Sequence, residues 1–116
     1  MSEDTWKPVS LELLNAILAD DEQNIPDTYR ELWNKIKVTP EKWAMALDQK
    51  LYGVSNSDRY WIVGKYKNHV IWYQDVEEGF NCSPYFKPGV IAEMGWETDE
   101  LWVSFLWLEK ALGRLS

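Results

Sequence analysis

The stretch Tyr60-Trp61-Ile62-Val63-Gly64-Lys65-Tyr66-Lys67-Asn68-His69-Val70-Ile71-Trp72-Tyr73 decides the fold class of this chain. Two β-branched and aromatic runs are split by the polar pair Lys67-Asn68, the pattern of a β-hairpin closed by a two-residue turn, with Asn68 suited to positive φ. Simple alternation assigns Trp61, Val63, Val70 and Trp72 to one face and Tyr60, Ile62, Ile71 and Tyr73 to the other. Both faces are therefore apolar. A small antiparallel sheet ordinarily wets one face, so helix or a partner has to cover the second.

Upstream of the hairpin the period is helical. Ser10 can cap a segment in which Leu11, Leu14, Ile17 and Leu18 recur at helical spacing, and this segment ends in the acidic Asp20-Asp21-Glu22. Pro26 and Asp27 suit the first turn of a second helix, with Tyr29, Leu32, Trp33 and Ile36 as its apolar stripe. Thr39-Pro40-Glu41-Lys42 is the clearest start signal, with threonine at the N-cap, proline at the first helical position and glutamate in the first turn. It predicts a third helix carrying Trp43, Ala44, Leu47 and Leu51 that breaks at Gly53-Val54-Ser55-Asn56.

Downstream, residues 80–83 predict a third short strand and Val90-Ile91-Ala92 a fourth, turned by Lys87-Pro88-Gly89. A last helix starts at Thr98 or Asp99, carries Leu101, Phe105, Leu108 and Leu112, and stops at Gly113. Residues 101–108 are apolar nearly all round, which leaves a strand as the alternative there. The expected fold class is α+β in one domain spanning 1–116. It has N-terminal helices (8–52), a small antiparallel β-meander of three or four strands (59–94), and a C-terminal helix (98–113) packed on the sheet.

Length and composition bound what such a domain can do. At 116 residues the chain supports a single modest core, and an aromatic share of 15% supplies much of it. Cys82 is the only cysteine, so no disulfide forms within the chain, which fits a reducing compartment. Met1-Ser2-Glu3-Asp4 is acidic and is followed by no apolar run of signal length. The longest apolar stretches, such as 102–103 and 105–108, fall far below the roughly 18 residues that cross a bilayer. A soluble, cytoplasmic protein with no membrane partner is the expectation.

The net charge of −7 is unevenly spread. Residues 1–31 hold eight acids and two bases, residues 32–74 three acids and seven bases, and residues 75–100 seven acids and one base. Acidic segments repel phosphate backbones and attract basic proteins, which argues against a nucleic-acid partner.

Catalytic signatures are sparse. His69, the only histidine, sits at the hairpin turn with no serine or cysteine nearby in sequence, and Cys82 lies in a semi-apolar segment where a buried thiol is the ordinary outcome. One cysteine and one histidine cannot build a structural zinc site. A calcium loop starting at Asp75 fails at its twelfth position, Phe86, which has no carboxylate. A domain this small has little room for the paired-carboxylate cleft of a glycosidase, and its six glycines are scattered singly rather than gathered into a phosphate loop. No enzyme activity, cofactor or metal is expected.

Binding remains. Trp72-Tyr73-Gln74-Asp75-Val76-Glu77-Glu78-Gly79-Phe80-Asn81-Cys82-Ser83-Pro84-Tyr85-Phe86 sets three carboxylates in a turn between aromatic segments. Aromatics bury large areas at little rotamer cost, and acids steer association with a basic partner. The candidate contact set is Tyr73, Asp75, Glu77, Glu78, Phe80 and Tyr85, while most other aromatics of the hairpin are assigned to the core.

The run from Val70 to Ser83, with Trp72-Tyr73 before Asp75 and Glu77-Glu78-Gly79-Phe80 after it, then Gly89-Val90-Ile91 and Thr98-Asp99-Glu100-Leu101, resembles small bacterial immunity proteins. These accompany polymorphic or contact-dependent toxins. The resemblance covers about residues 60–112 and does not extend to the N-terminal helices. It implies a cytosolic protein that neutralises a cognate toxin domain by steric and electrostatic occlusion of its active site. Nuclease toxins carry basic substrate clefts, which suit an acidic inhibitor. The alternative is a general adaptor or a homodimer joined through one apolar face of the sheet.

Overall fold

A computed structural model describes residues 9–46, 60–74, 77–93, 95 and 98–113 of the chain. The elements in order are α1 (Leu11–Glu22), α2 (Asp27–Ile36), β1 (Lys37–Met45), β2 (Tyr60–Tyr66), β3 (His69–Gln74), β4 (Gly79–Pro84), β5 (Val90–Ile91) and α3 (Val103–Leu112). The class is α+β, with helices at both ends of the described chain flanking one five-stranded sheet. Strand order is β4-β3-β2-β1-β5. The sheet is mixed rather than purely antiparallel, because β5 pairs parallel with β1 while the remaining pairings are antiparallel.

The helices form for the reasons their sequences suggest. Ser10 caps α1, its Oγ accepting from Leu13 N–H at 3.1 Å. Pro26 is the N-cap of α2, and Trp33 and Ile36 on its stripe are buried while Tyr29 and Leu32 are half-buried. Residues 103–112 are helical, which resolves the alternative left by their all-round apolarity. Gly113 takes φ 87 and donates its N–H to Glu109 O, which stops the helix where glycine tolerates the left-handed region. The start is later than Thr98 or Asp99, because Asp99 is committed elsewhere: its backbone exchanges two hydrogen bonds with Phe80, at 2.7 and 3.0 Å.

The third expected helix is a correction. Residues 37–45 form β1, not a helix begun at Thr39-Pro40. Val38 and Pro40 are half-buried and alternate with exposed Lys37, Thr39 and Glu41, a period-two pattern hidden beneath the capping signal. The edge of β2 needs a partner for its backbone, and β1 supplies it through Glu41↔Ile62, Lys42↔Trp61 and Trp43↔Tyr60. Proline cannot donate to a ladder, and the pairing accordingly shifts register between Lys37 and Glu41, around Pro40. Leu47, Leu51 and the break at 53–56 lie outside the described residues.

The hairpin is present with its two-residue turn, but the left-handed residue is Lys67 (φ 54), not Asn68. Its faces also differ from simple alternation. Near the turn Lys65 pairs with Val70 and Gly64 with Ile71, but Ile62 then pairs with Trp72 and Trp61 with Tyr73. This one-residue bulge at 63–64 moves the far half of β2 to the opposite face relative to β3. Trp61 and Val63 therefore join Ile71 and Tyr73, while Tyr60 and Ile62 join Val70 and Trp72. Gly64, beside the bulge, lets α2 pack close to the sheet: a Cβ there would lie 2.9 Å from Trp33 Cζ3.

Each face has its own core. One face packs beneath the helices, bringing Val63, Ile71, Tyr73, Phe80 and Cys82 against Leu14, Trp33, Leu101, Phe105 and Leu108. Phe105 stacks on Tyr29 at 5.1 Å and meets Trp33 edge-on at 6.0 Å, tying α3 to α2. On the other face the sheet curls over Trp43, Met45, Ile62, Val70, Trp72 and Ile91. A hydrogen bond from Ala92 N–H to Pro84 O, 3.0 Å long, links the two outer strands, and Tyr85 packs edge-on to Trp43 at 5.0 Å. Among the described residues, curling buries this second apolar face with no helix packed against it.

Candidate protein-binding surface

The six candidate contact residues do not share one surface. Tyr73 and Phe80 are opposite each other on β3 and β4, 4% and 1% exposed, with rings 5.2 Å apart in the helix-covered core. Neither reaches solvent. Asp75 lies outside the described residues. Glu77 and Glu78 are exposed in the turn between β3 and β4, where Glu78 adopts φ 56. Tyr85 follows the opposite end of β4. Its N–H donates to Asn68 O and its hydroxyl to Lys67 O. Six strand residues at roughly 3.4 Å each put about 20 Å between that end and the acidic turn.

What joins Glu77 and Glu78 is a group of acids distant in sequence. The Phe80–Asp99 pairing lays the segment before α3 along the outer edge of β4. Gly79 makes the close approach possible, since a Cβ there would meet Thr98 Cγ2 at 2.5 Å and Asp99 O at 3.0 Å. Asp99 and Glu100 are exposed, and the Glu100 N–H donates to Asp99 Oδ1 at 2.7 Å. From the end of α1, Asp21 reaches over to accept the Leu101 N–H at 3.1 Å. Helix end, strand turn and bridging segment therefore gather Asp21, Glu77, Glu78, Asp99 and Glu100 at one edge. Among the described residues none of these carboxylates is in an ion pair.

Lys37 meets Glu22 at 3.9 Å beside the α1 end, and further lysines among the described residues lie on the strands and at the far turn. Lys65 bonds Glu41 at 3.0 Å and lies over the Trp43 ring, while Lys67 lies over Tyr66 and Lys42 over Trp61. The Lys65 ammonium and then the Trp43 indole N–H hold the Glu41 carboxyl below its ordinary range. Among the described residues the sheet is thus polar along its length, with acids that have no ion-pair partner at the β3–β4 turn and lysines over aromatics on the strands and at the far turn.

Other chemistry-bearing residues are quiet. Cys82 is fully buried, and desolvation pushes its thiol up to about 12, so it is not a thiolate near neutrality. His69 is buried beside a cavity of about 300 Å³ that Pro84, Glu93, Gly95 and Ala111 also line, with Nδ1 2.9 Å from Asn68 Oδ1. Burial lowers its pKa, opposed by the negative charge of Glu93. Among the described residues no three His, Cys, Asp or Glu side chains converge to hold a metal ion, and no helix is long and apolar enough to cross a membrane.

Charge segmentation in the sequence pointed to acid in 75–100, but nothing local linked it to Asp21. That link is made by the Leu101 N–H donating to the Asp21 carboxylate, 80 residues away in sequence. The sequence matches no protein-family model, and no curated protein or solved structure matches it.

Proposed function

We propose that this chain is a non-catalytic binding protein whose acidic edge engages a basic protein. The partner is the toxin domain of a bacterial polymorphic or contact-dependent system, neutralised in the cytoplasm by occlusion of its active site. The observation that carries the reading is the gathering of Glu77, Glu78, Asp99 and Glu100 on one strand edge, with no cation against them among the described residues. Clustered like charges repel one another, and a partner that brings cations relieves the repulsion while speeding its own association. A nuclease-type toxin, basic because its substrate is a phosphate backbone, presents a field of the required sign. The resemblance of residues 60–112 to immunity proteins supports the same partner. Tyr73 and Phe80 contribute by holding the β3–β4 turn rigid from beneath, and the contacts belong to the acids.

The alternative, an adaptor or homodimer joined through an apolar sheet face, needs such a face open to solvent. The side chains of β3 are buried on both sides, which favours the acidic edge. The test replaces Glu77, Glu78 and Glu100 with lysine and measures association with the toxin domain encoded beside this gene, together with protection of cells. Association should slow by about 10- to 1,000-fold at low salt, and its salt dependence should flatten. Unchanged association and unchanged protection would sink the reading.

A further inference from the structure

The cavity beside His69 holds about 300 Å³, the lower end of the range of small-molecule sites, and is lined among the described residues by His69, Pro84, Glu93, Gly95 and Ala111. Its walls come from three parts of the fold: the end of the β3–β4 pair where His69 faces Pro84, the segment after β5, and the last turn of α3. Gly95 brings that segment close to β4 at φ 91, because a Cβ there would collide with Cys82 O and lie 2.6 Å from Ser83 Oγ.

The side chains that face this cavity with polar atoms are electron-rich. The His69 ring is 8% exposed, and its Nδ1 lies 2.9 Å from Asn68 Oδ1, an atom that only accepts. Nδ1 therefore carries the proton, and burial keeps the ring neutral near pH 7, which leaves a lone pair on Nε2. Among the described residues Nε2 has no hydrogen-bond partner and is not sealed in the interior, so it opens on the cavity. Glu93 is exposed, is in no ion pair among the described residues, and sets its charge against the His69 ring. Ala111 belongs to the last turn of α3, where the helix dipole places partial negative charge. Neighbouring lysines do not line the cavity: Lys67 lies over the Tyr66 ring at 5.4 Å and Lys110 over the Trp107 ring at 5.9 Å.

We propose that this cavity binds a primary ammonium group, which donates to His69 Nε2 and to the Glu93 carboxylate while the apolar stem behind it rests on Pro84 and Ala111. A primary ammonium has three donors and no acceptor, the complement of side chains that offer acceptors alone. An anion meets Glu93 with the wrong charge. A metal ion finds one histidine and one carboxylate, short of the three protein ligands of an open zinc site. The cavity lies at the end of β4 away from the acidic turn, about 20 Å along the strand, so this site does not rest on the toxin-binding reading.

Backbone amide shifts of the full chain at about pH 7.5, titrated with benzylammonium, benzyl alcohol and benzoate, test this. The three probes share a ring and differ in headgroup. Benzylammonium should move His69, Glu93, Gly95 and Ala111 together, with half-saturation at about 0.1–10 mM, and the alcohol and benzoate should bind at least about tenfold more weakly. Glu93→Gln should weaken binding at least about tenfold, and Ala111→Phe, which fills the cavity, should abolish it. Both side chains are exposed, so unchanged far-UV circular dichroism will show that the variants fold. Nα-acetyl-lysinamide gives the source of the group: tighter binding than benzylammonium assigns it to a lysine side chain, weaker binding to a free amine. Benzyl alcohol binding as tightly as benzylammonium overturns the proposal, as do shifts scattered away from the cavity, no response at about 50 mM, or unchanged affinity in Glu93→Gln.

Discussion

Replacing Ser83 with alanine should destabilise the protein by about 2 kcal/mol through the loss of a single buried hydrogen-bond acceptor. The Trp72 indole N–H donates to Ser83 Oγ at 2.9 Å, and both residues are fully buried. Making this bond gains only about 0.5–1.5 kcal/mol over water, but leaving the buried donor without an acceptor costs about 1–3 kcal/mol. The second number governs here, because the curled sheet gives water no access to the indole. With a urea slope of about 1–3 kcal/mol per molar, the midpoint should fall by about 1 M. Far-UV circular dichroism is the appropriate probe, since the fluorescence of eight tryptophans would mix local with global change. Trp72→Phe should cost about 2–4 kcal/mol, combining lost ring volume with an orphaned hydroxyl. The double variant should then be less destabilised than the sum of the singles by about 1 kcal/mol. A Ser83→Ala effect within about 0.5 kcal/mol of zero, or an additive cycle, would refute the claim that this bond closes a dry interior.

Gly79→Ala should cost about 1–3 kcal/mol and loosen the acidic edge, because the added methyl collides with Thr98 and Asp99; hydrogen exchange of the Asp99 amide should rise, and Thr98→Ser should recover part of the loss. His69 carries a pKa lowered by burial, so the unfolded chain binds more protons than the folded one as pH falls below about 6.5. Stability should therefore be complete above that pH and decline towards pH 5, and His69→Asn should reduce this slope in urea titrations at several pH values. Cys82 should ignore thiol reagents at pH 8 in the native protein and react at the rate of unfolding, given its full burial and a pKa near 12; rapid native labelling would contradict the core assignment.

The acidic turn shows how a surface can be legible in composition yet wrongly assembled from it. Within 72–86 the sequence distinguishes acid from aromatic but not inside from outside, because strand side chains alternate and register decides which side is covered. Tyr73 and Phe80 alternate inward onto α3, and the partners that complete the acidic edge, Asp99 and Asp21, arrive by the Phe80 bridge and the Leu101 amide. Phe86 carried no signal at all in sequence, since nothing local separates an exposed phenylalanine from a buried one.

By itself the sequence determined the elements whose signals are local: the Ser10-capped α1, the stripe of α2, the Lys67-Asn68 hairpin, the strand at Val90, and the glycine stop of α3. It also determined the acidic bias of 75–100 and the shortage of catalytic groups. Tertiary structure decided the rest. Residues 37–45 became strand because the open edge of β2 required backbone partners, and that demand outweighed a capping signal built on three residues. The two faces of the hairpin were exchanged by one extra residue at 63–64, a register change that apolar alternation cannot report when both faces are equally apolar. The acidic edge exists because non-local hydrogen bonds carry a helix end and a strand turn to one place, and a linear pattern holds no record of which distant segment closes that gap.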